Sequence, residues 1–280
     1  MSRRRFGRRK KETAPYGAVI SDVLHIGAVL LVMSINPVPR LSIPQRKFRV
    51  IKYIDGYNLY FGMHEEAVRR GSRTQPDADY YRHMWLDVQG LAAGLLLPTQ
   101  ELVGVKYFTS PISSNKGKQE RQNKYLDALR TRPLIEIIFG RFQPDRKECD
   151  RCGHPAYHPQ EKKTDVNIAV NLICDALEER YDTALLITGD SDLVPAVEAV
   201  RRLTPQKRIV IAFPPRRQSD ELAKSSGGNP IRIWEPLLRK NRLPDVLARP
   251  GGLPDITCPH KYSGAVGCTS TTHPAPKIGS

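Results

Sequence analysis

The feature that most constrains this chain is an alternation of short apolar segments with longer segments of helical periodicity. Strand patterns occur at 48–54, 101–109, 134–139, 183–188, 208–213 and 231–234. Helical patterns occur at about 80–97, 118–130, 164–180 and 191–203. This order predicts an α/β fold in which helices cover both faces of a mostly parallel central sheet, giving three layers. In such a sheet we expect functional side chains beyond the carboxyl ends of the strands.

The composition indicates one globular domain with a basic surface. Of the 280 residues, 40% are hydrophobic and 26% are charged, and the net charge is +15. Only +6 of that charge lies in the first 13 residues, so the body of the chain is itself basic. A basic body favours a polyanionic partner such as nucleic acid, and the alternative is charge that serves solubility alone. We predict a disordered basic extension over 1–45, a folded domain over 46–245 and a disordered tail over 246–280.

The amino-terminal segment has some features of an export signal. Arginines at 3–5 precede an apolar run at 23–35, but that run is too short to span a bilayer and no small-residue cleavage site follows it. We therefore favour a plain basic extension over an export signal and expect no membrane association. The five cysteines are an odd number in a chain that needs no disulfides. Together these features favour a cytoplasmic protein.

Carboxylates follow two of the predicted strands directly. Asp55 ends the first strand and is followed by Gly56 and Asn58, whereas Asp190 and Asp192 follow the apolar strand at 183–188. Turn formation and helix capping are the structural alternatives for such residues. A capping Ser191, with Asp192 in the first helical turn, would explain one of these aspartates and leave Asp190 unexplained.

A further carboxylate lies on the inner face of a helix. Apolar residues follow Asp165 at +3, +4, +7, +8, +11 and +12, which is the spacing of one buried helix face. Thr164 is available as the cap, so Asp165 is not needed for that role. An inward-facing acid at the edge of a sheet requires a metal ion or a basic partner.

These acids predict a metal site. If Asp55, Asp165, Asp190 and Asp192 converge at one edge of the sheet, their charges need a counter-ion. Mg²⁺ and Mn²⁺ prefer oxygen ligands and bridge them to phosphates, which suits hydrolysis of a phosphodiester.

Three segments carry a resemblance to a known family: IDGYNLY at 54–60, TDVNIAVNLICDA at 164–176 and LLITGDSDLVPAVEAV at 185–200. They resemble the NYN domain, and more narrowly its LabA-like branch within the PIN-like nuclease superfamily. The likeness extends over about 48–245, through YFTSPI at 107–112, RQNKYLDAL at 121–129 and GRFQP at 140–144. It implies a Rossmann-like PIN fold and a metal-dependent ribonuclease. It also implies that the four aspartates form the catalytic metal site, with Asn58 and Ser191 assisting.

Other functions were weighed against an endoribonuclease. A non-catalytic RNA-binding or regulatory module would keep the fold but has no need of four carboxylates facing phosphates. A phosphatase that forms an aspartyl intermediate usually has Asp-x-Asp at the first strand, whereas Gly56 and Tyr57 follow Asp55. A dinucleotide-binding protein would need a glycine-rich loop there.

A cysteine–histidine segment forms an insertion at about 145–160. Cys149, Cys152, His154 and His158 could together hold a structural Zn²⁺. The alternative is a surface hairpin without metal.

Basic residues follow the second strand. Lys118, Arg121 and Lys124 could hold an RNA backbone near the acidic site, and Tyr57 and Tyr60 could stack on bases. The alternative for each is a solvated helix face. The sequence predicts RNA as the partner and leaves the oligomeric state undetermined.

Overall fold

The structure, a computed structural model, describes residues 46–112, 115–148 and 155–263, with the backbone alone for 141–148, 155–162 and 250. The predicted extension over 1–45 therefore lies outside the described residues.

Ten strands and nine α-helices occur in the described part of the chain. The strands are β1 Phe48–Asp55, β2 Gln100–Thr109, β3 Ile135–Phe139, β4 Arg141–Glu148, β5 Pro155–Lys162, β6 Thr183–Ile187, β7 Arg208–Phe213, β8 Ile231–Arg232, β9 Val246–Leu247 and β10 Ile256–Thr257. The helices are α1 Gly56–Arg70, α2 Ala78–Tyr81, α3 Val88–Gly94, α4 Lys116–Arg130, α5 Thr164–Leu177, α6 Val194–Leu203, α7 Asp220–Ser225, α8 Glu235–Lys240 and α9 His260–Ser263. Short 3₁₀ turns lie at Arg82–Met84, Ser191–Leu193 and Pro250–Gly252.

Six strands form one all-parallel sheet in the order β3-β2-β1-β6-β7-β8. Every residue of β6 is buried, as expected for a strand covered on both faces. In register, Ile54 of β1 lies beside Ile187 of β6, so both central strands end at the same edge of the sheet. The predicted α/β architecture with a parallel sheet is confirmed.

Two hydrophobic clusters cover the two faces of the sheet. Because side chains alternate along a strand, Ile54 packs into one cluster with α1, α3 and α4, whereas Tyr53 packs into the other with α5 and α6. On the partly polar helix α4, Leu126 and Leu129 are buried, as its pattern predicts. None of the described helices is long and apolar enough to cross a membrane.

Helix α1 is absent from the sequence prediction, which placed a turn at Gly56. The Asp55 side chain instead caps this helix by accepting a hydrogen bond from the backbone N–H of Asn58 at 2.9 Å. Gly56 is needed for close packing, because a Cβ there would lie 2.6 Å from the Tyr107 ring and 2.7 Å from the Phe108 carbonyl oxygen. The single helix expected at 80–97 is also wrong, since α2, a 3₁₀ turn and α3 divide that region.

The folded part extends beyond the predicted boundary at 245. Leu247, Ile256 and Tyr262 are buried in the same cluster as Ile54, and Arg242 donates a hydrogen bond to the Tyr262 carbonyl at 3.1 Å. A few well-placed apolar side chains are enough to dock a segment rich in Gly and Pro, which a compositional argument overlooks. Residues 264–280 lie outside the described residues.

The expected cysteine–histidine insertion lies around a hairpin. β4 and β5 pair antiparallel, and Asp145 lies opposite His158 in the register. Cys149, Cys152 and His154, together with the side chain of His158, lie outside what the structure describes. The zinc site therefore stays a prediction.

Candidate metal centre

Three aspartates come together at the carboxyl edge of the sheet. Each of Asp165, Asp190 and Asp192 offers a carboxylate oxygen within 4.8 Å of the other two. Asp165 lies in the first turn of α5, and the other two follow β6 in the segment that leads to α6. All three side chains are at least partly exposed, so a ligand from solvent can reach them.

Asp190 shapes the turn after β6. Its side chain accepts a hydrogen bond from the Asp192 N–H at 3.0 Å and so caps the 3₁₀ turn Ser191–Leu193. The capping role considered for Ser191 is therefore wrong: Ser191 is the exposed first residue of that turn. The cap holds the backbone that carries both carboxylates.

The start of α5 is fixed from within the protein. Thr164 is buried, and its hydroxyl lies 3.2 Å from that of Ser110, just beyond the end of β2. Lys163 precedes it with a left-handed φ of 78°, and no side-chain hydrogen bond caps the helix. Thr164 thus anchors α5 to β2 instead of capping it. Asp165, the next residue, is thereby held toward the other two acids.

The charges of the cluster act on Asp165. Burial raises the pKa of its carboxyl, and the nearby charges of Asp190 and Asp192 raise it further. This is the electrostatic signature of carboxylates grouped without a sufficient counter-charge. Three such groups are a donor set that fits a hard divalent cation.

Asp55 does not belong to this three-residue cluster, although the sequence predicts four converging aspartates. It is buried, at 5% exposure, and its oxygens accept hydrogen bonds from the Asn58 N–H at 2.9 Å and the Thr188 hydroxyl at 3.1 Å. The Thr188 hydroxyl oxygen accepts in turn from the Asp190 N–H at 3.1 Å. Asp55 is therefore connected to Asp190 through one threonine.

Asn58 also supports the segment that carries the acids. Its side-chain oxygen accepts a hydrogen bond from the Gly189 N–H at 2.9 Å. This contact ties the first turn of α1 to the segment after β6. The amide oxygen of Asn58 thus helps to position the acids.

Helix α5 also carries a buried carboxylate that its sequence pattern does not reveal. Asp175 is 2% exposed, forms an ion pair with Lys106 at 2.6 Å and accepts a hydrogen bond from the Tyr53 hydroxyl at 2.6 Å. Burial and the bond to Asp175 raise the pKa of Tyr53. The available signal was the lysine inside the otherwise apolar end of β2, which needs a buried partner.

Only two of the three predicted phosphate-binding residues lie at a common cavity. Lys118 and Arg121 of α4 line a cavity beside the start of α1, whereas Lys124 is exposed on the same helix and is not part of the lining. Tyr57 and Tyr60 line the same cavity.

One family model and two known proteins match parts of this chain. The family model described as "NYN domain" matches residues 49–228. A relative from Pseudomonas putida (strain DSM 28022 / S16), named 6-hydroxy-3-succinoylpyridine 3-monooxygenase HspA, is 28% identical over 244 residues, covering 73% of this chain and 72% of that protein. A crystal structure of a protein of unknown function from Vibrio parahaemolyticus RIMD 2210633 aligns with a TM-score of 0.41 at 21% identity, covering 68% of this chain and 96% of the other.

The NYN match spans well over half of the chain and contains the acidic cluster. It includes five of the six strands of the parallel sheet, β8 being outside the match, and the arrangement of the sheet is consistent with a PIN-like fold. The chain therefore belongs to the NYN domain family, within the PIN-like nuclease superfamily.

Proposed function

We propose that this protein is a metal-dependent endoribonuclease that hydrolyses RNA phosphodiester bonds at the Asp165–Asp190–Asp192 cluster. The observation that carries the proposal is the meeting of three solvent-accessible carboxylates at the carboxyl edge of a parallel sheet. Burial and, after it, the charges of Asp190 and Asp192 raise the pKa of Asp165, and this repulsion supports a cation as the partner of the cluster. The LabA-like branch is the subfamily we propose for the chain.

Asp165, Asp190 and Asp192 would hold Mg²⁺ or Mn²⁺. Bound there, the cation would supply charge stabilisation at the phosphate and lower the pKa of a coordinated water. Asp55 lies outside the cluster, so we assign it a positioning role through Thr188 in place of a direct ligand role. We assign Asn58 a positioning role as well, because its side-chain oxygen accepts a hydrogen bond from the Gly189 N–H.

The reaction needs only water as co-substrate. A water oxygen bonds to phosphorus, the bond from phosphorus to the leaving ribose oxygen breaks, and a proton passes from the water to that oxygen. Lys118, Arg121 and Lys124 would bind the flanking phosphates as sequence-independent contacts. Ser191, exposed between the two acids, would contact the substrate.

The test is cleavage of a labelled, mixed-sequence single-stranded RNA with Mn²⁺ or Mg²⁺. We expect wild type to cut, and Asp190→Asn to lose at least ~100-fold in rate because the charge of a metal ligand is lost, while the asparagine oxygen can still cap the turn. The matched control is Asp127→Asn, which changes an exposed aspartate of α4 that pairs with Arg130. Chelator should abolish cleavage, and cutting that survives in Asp190→Asn would contradict the assignment.

A second candidate is an RNA-binding module without hydrolysis. The basic body of the chain favours it independently of the acids. RNA binding without cleavage under every metal condition, by wild type that is folded, would establish this alternative.

The name of the Pseudomonas relative points to a different reaction class, oxygenation of a pyridine. Hydrolysis consumes water alone, whereas a monooxygenase consumes O₂ and a reductant. Running the RNA assay without O₂ separates the two classes, and we expect cleavage to continue unchanged.

A further inference from the structure

A cavity of about 410 Å³ lies between α1, α4 and the carboxyl-terminal segment, on the face of the sheet away from α5. That volume falls in the range of small-molecule sites. Seven of its eighteen lining residues are Phe or Tyr, namely Tyr57, Tyr60, Phe61, Tyr81, Tyr107, Tyr125 and Tyr262. Phe61 is 46% exposed, so the cavity reaches solvent.

Among the described residues that line this cavity, the charged groups are all cationic. Lys118, Arg121 and Lys261 contribute to the lining, and no described Asp or Glu does. Lys261 lies 4.9 Å above the centre of the Tyr81 ring. Burial lowers the pKa of Lys261, and the charges of Arg121 and Lys118 lower it further, so the three cations lie within electrostatic reach of one another. The complementary ligand is a flat aromatic ring that carries an anionic group.

Ser110 connects this cavity with the acidic cluster. Its carbonyl accepts hydrogen bonds from the Tyr57 hydroxyl and the Gln122 side chain, both at 2.8 Å, and both residues line the cavity. The Ser110 hydroxyl lies 3.2 Å from that of Thr164, the residue next to Asp165. Gly56, which also lines the cavity, directly follows Asp55. Cavity and acids thus flank the same end of β2.

We propose that this cavity is a nucleotide-binding subsite, in which an unpaired base of the RNA substrate stacks among the tyrosines while its phosphate lies on Lys118, Arg121 and Lys261. The inference rests on the proposed function for the identity of the polymer. It makes single-stranded RNA the substrate class, because a base held in a duplex cannot enter.

The test uses adenosine 5′-monophosphate as the probe, titrated calorimetrically into the full-length protein with EDTA present. We expect adenosine and ribose 5-phosphate to bind about tenfold more weakly than the nucleotide, since each lacks one half of the recognised group. Equal binding of ribose 5-phosphate would overturn the role of the base. Nicotinate, an aromatic acid without phosphate, must also bind more weakly, and equal affinity for it would overturn the assignment to a nucleotide.

Charge reversal at the cavity locates the site. Lys261→Glu should weaken nucleotide binding about tenfold or more, whereas Lys240→Glu, an exposed lysine of α8 outside the cavity lining, should not change it. Because Lys261 also contacts the Tyr81 ring, Lys118→Glu on the exposed side of α4 provides a second variant that does not disturb packing. Unchanged affinity in both folded variants would overturn the proposal.

The two proposals fail separately. If the protein binds the nucleotide in EDTA but cleaves no RNA in Mn²⁺, the nuclease proposal is contradicted and the subsite proposal is supported. Cleavage that depends on Asp190 without nucleotide binding would keep the nuclease and remove the subsite.

Discussion

Each end of α5 carries an aspartate, and the two carboxylates have opposite electrostatic surroundings. Asp165, in its first turn, is partly exposed and lies beside two other acids, which raise its pKa in addition to the effect of burial. Asp175, near its last turn, is almost fully buried and meets Lys106, the Tyr53 hydroxyl and, at 3.7 Å, Arg180. Helix α5 therefore carries one acid whose charge is balanced by partners in the core, Asp175, and one acid at the site whose charge is not balanced, Asp165. We call these the compensated and the uncompensated end of the helix.

This difference teaches how to separate a structural acid from a functional one. A buried charge with a full set of partners is costly to disrupt, because removing one partner leaves the other charge unpaired. An acid that lies among like charges lowers the free energy of unfolding as long as no cation is bound beside it. Substitutions at the two ends should therefore change the free energy of unfolding in opposite directions.

The largest effect is expected at the compensated end. Asp175→Ala should lower the free energy of unfolding by about 3–5 kcal/mol, because it leaves Lys106 charged and buried. Urea denaturation measures the loss, with Asp127→Ala as an exposed control. A loss below ~1 kcal/mol would break the comparison, since Asp175 would then not be needed as a partner.

A buried lysine without a carboxylate sharpens the comparison. Lys52 of β1 is fully buried, and its ammonium donates to the Leu95 carbonyl at 3.4 Å, whereas no described carboxylate pairs with it. Burial lowers the pKa of Lys52 to about 8. Lys52→Met should therefore raise the free energy of unfolding by about 3 kcal/mol at pH 7.

The pH dependence of that gain has a definite sign. Below pH 8 the lysine is charged in both folded and unfolded chains, so the full cost of burying it is present. Between about pH 8 and its unfolded value of 10.5 the folded state has lost the proton first, so wild type gains stability as pH rises. The difference between Lys52→Met and wild type should shrink across this window in urea titrations. A constant difference would show that Lys52 does not titrate there.

Metal addition should stabilise the uncompensated end. Mn²⁺ at about tenfold its dissociation constant should raise the free energy of unfolding by about 1.4 kcal/mol, because it binds only the folded cluster. Thermal melting with and without chelator measures this shift. Asp190→Asn should remove most of it, and an equal shift in that variant would place the ion elsewhere.

The smallest effect concerns Asp165 without metal. Asp165→Asn should raise the free energy of unfolding by roughly 0.5 kcal/mol at pH 7 in EDTA, because solvent screens the repulsion that it relieves. A raised folded pKa means that the cost of ionising Asp165 is present above that pKa and absent below the unfolded value of 3.8. The variant and wild type should therefore converge in stability as pH falls. Destabilisation at pH 7 would contradict the interpretation of Asp165 as an uncompensated acid.

Local patterns predicted most of the sheet, because each main strand is a short segment rich in apolar residues. The β7 boundaries were predicted to the residue, and those of β1, β2 and β6 to within one. Helix α1 was missed because Asp55 and Gly56 form a turn signal in isolation. Only the packing against Tyr107 shows why a glycine starts this helix.

The order of residues along the chain is enough to show that carboxylates follow the central strands and that Asp165 lies in the first turn of an amphipathic helix. Which of these carboxylates meet depends on contacts between elements that are distant in the chain. The Thr188 hydroxyl donates a hydrogen bond to Asp55, so that Asp55 supports the segment after β6. The contact between the Thr164 and Ser110 hydroxyls holds the start of α5, and with it Asp165, at the cluster. The cavity likewise joins residues from Gly56 to Tyr262 that are far apart in the chain. The reason is physical: a strand pattern fixes the edge at which a side chain lies, whereas hydrogen bonds and packing between distant elements fix its neighbours.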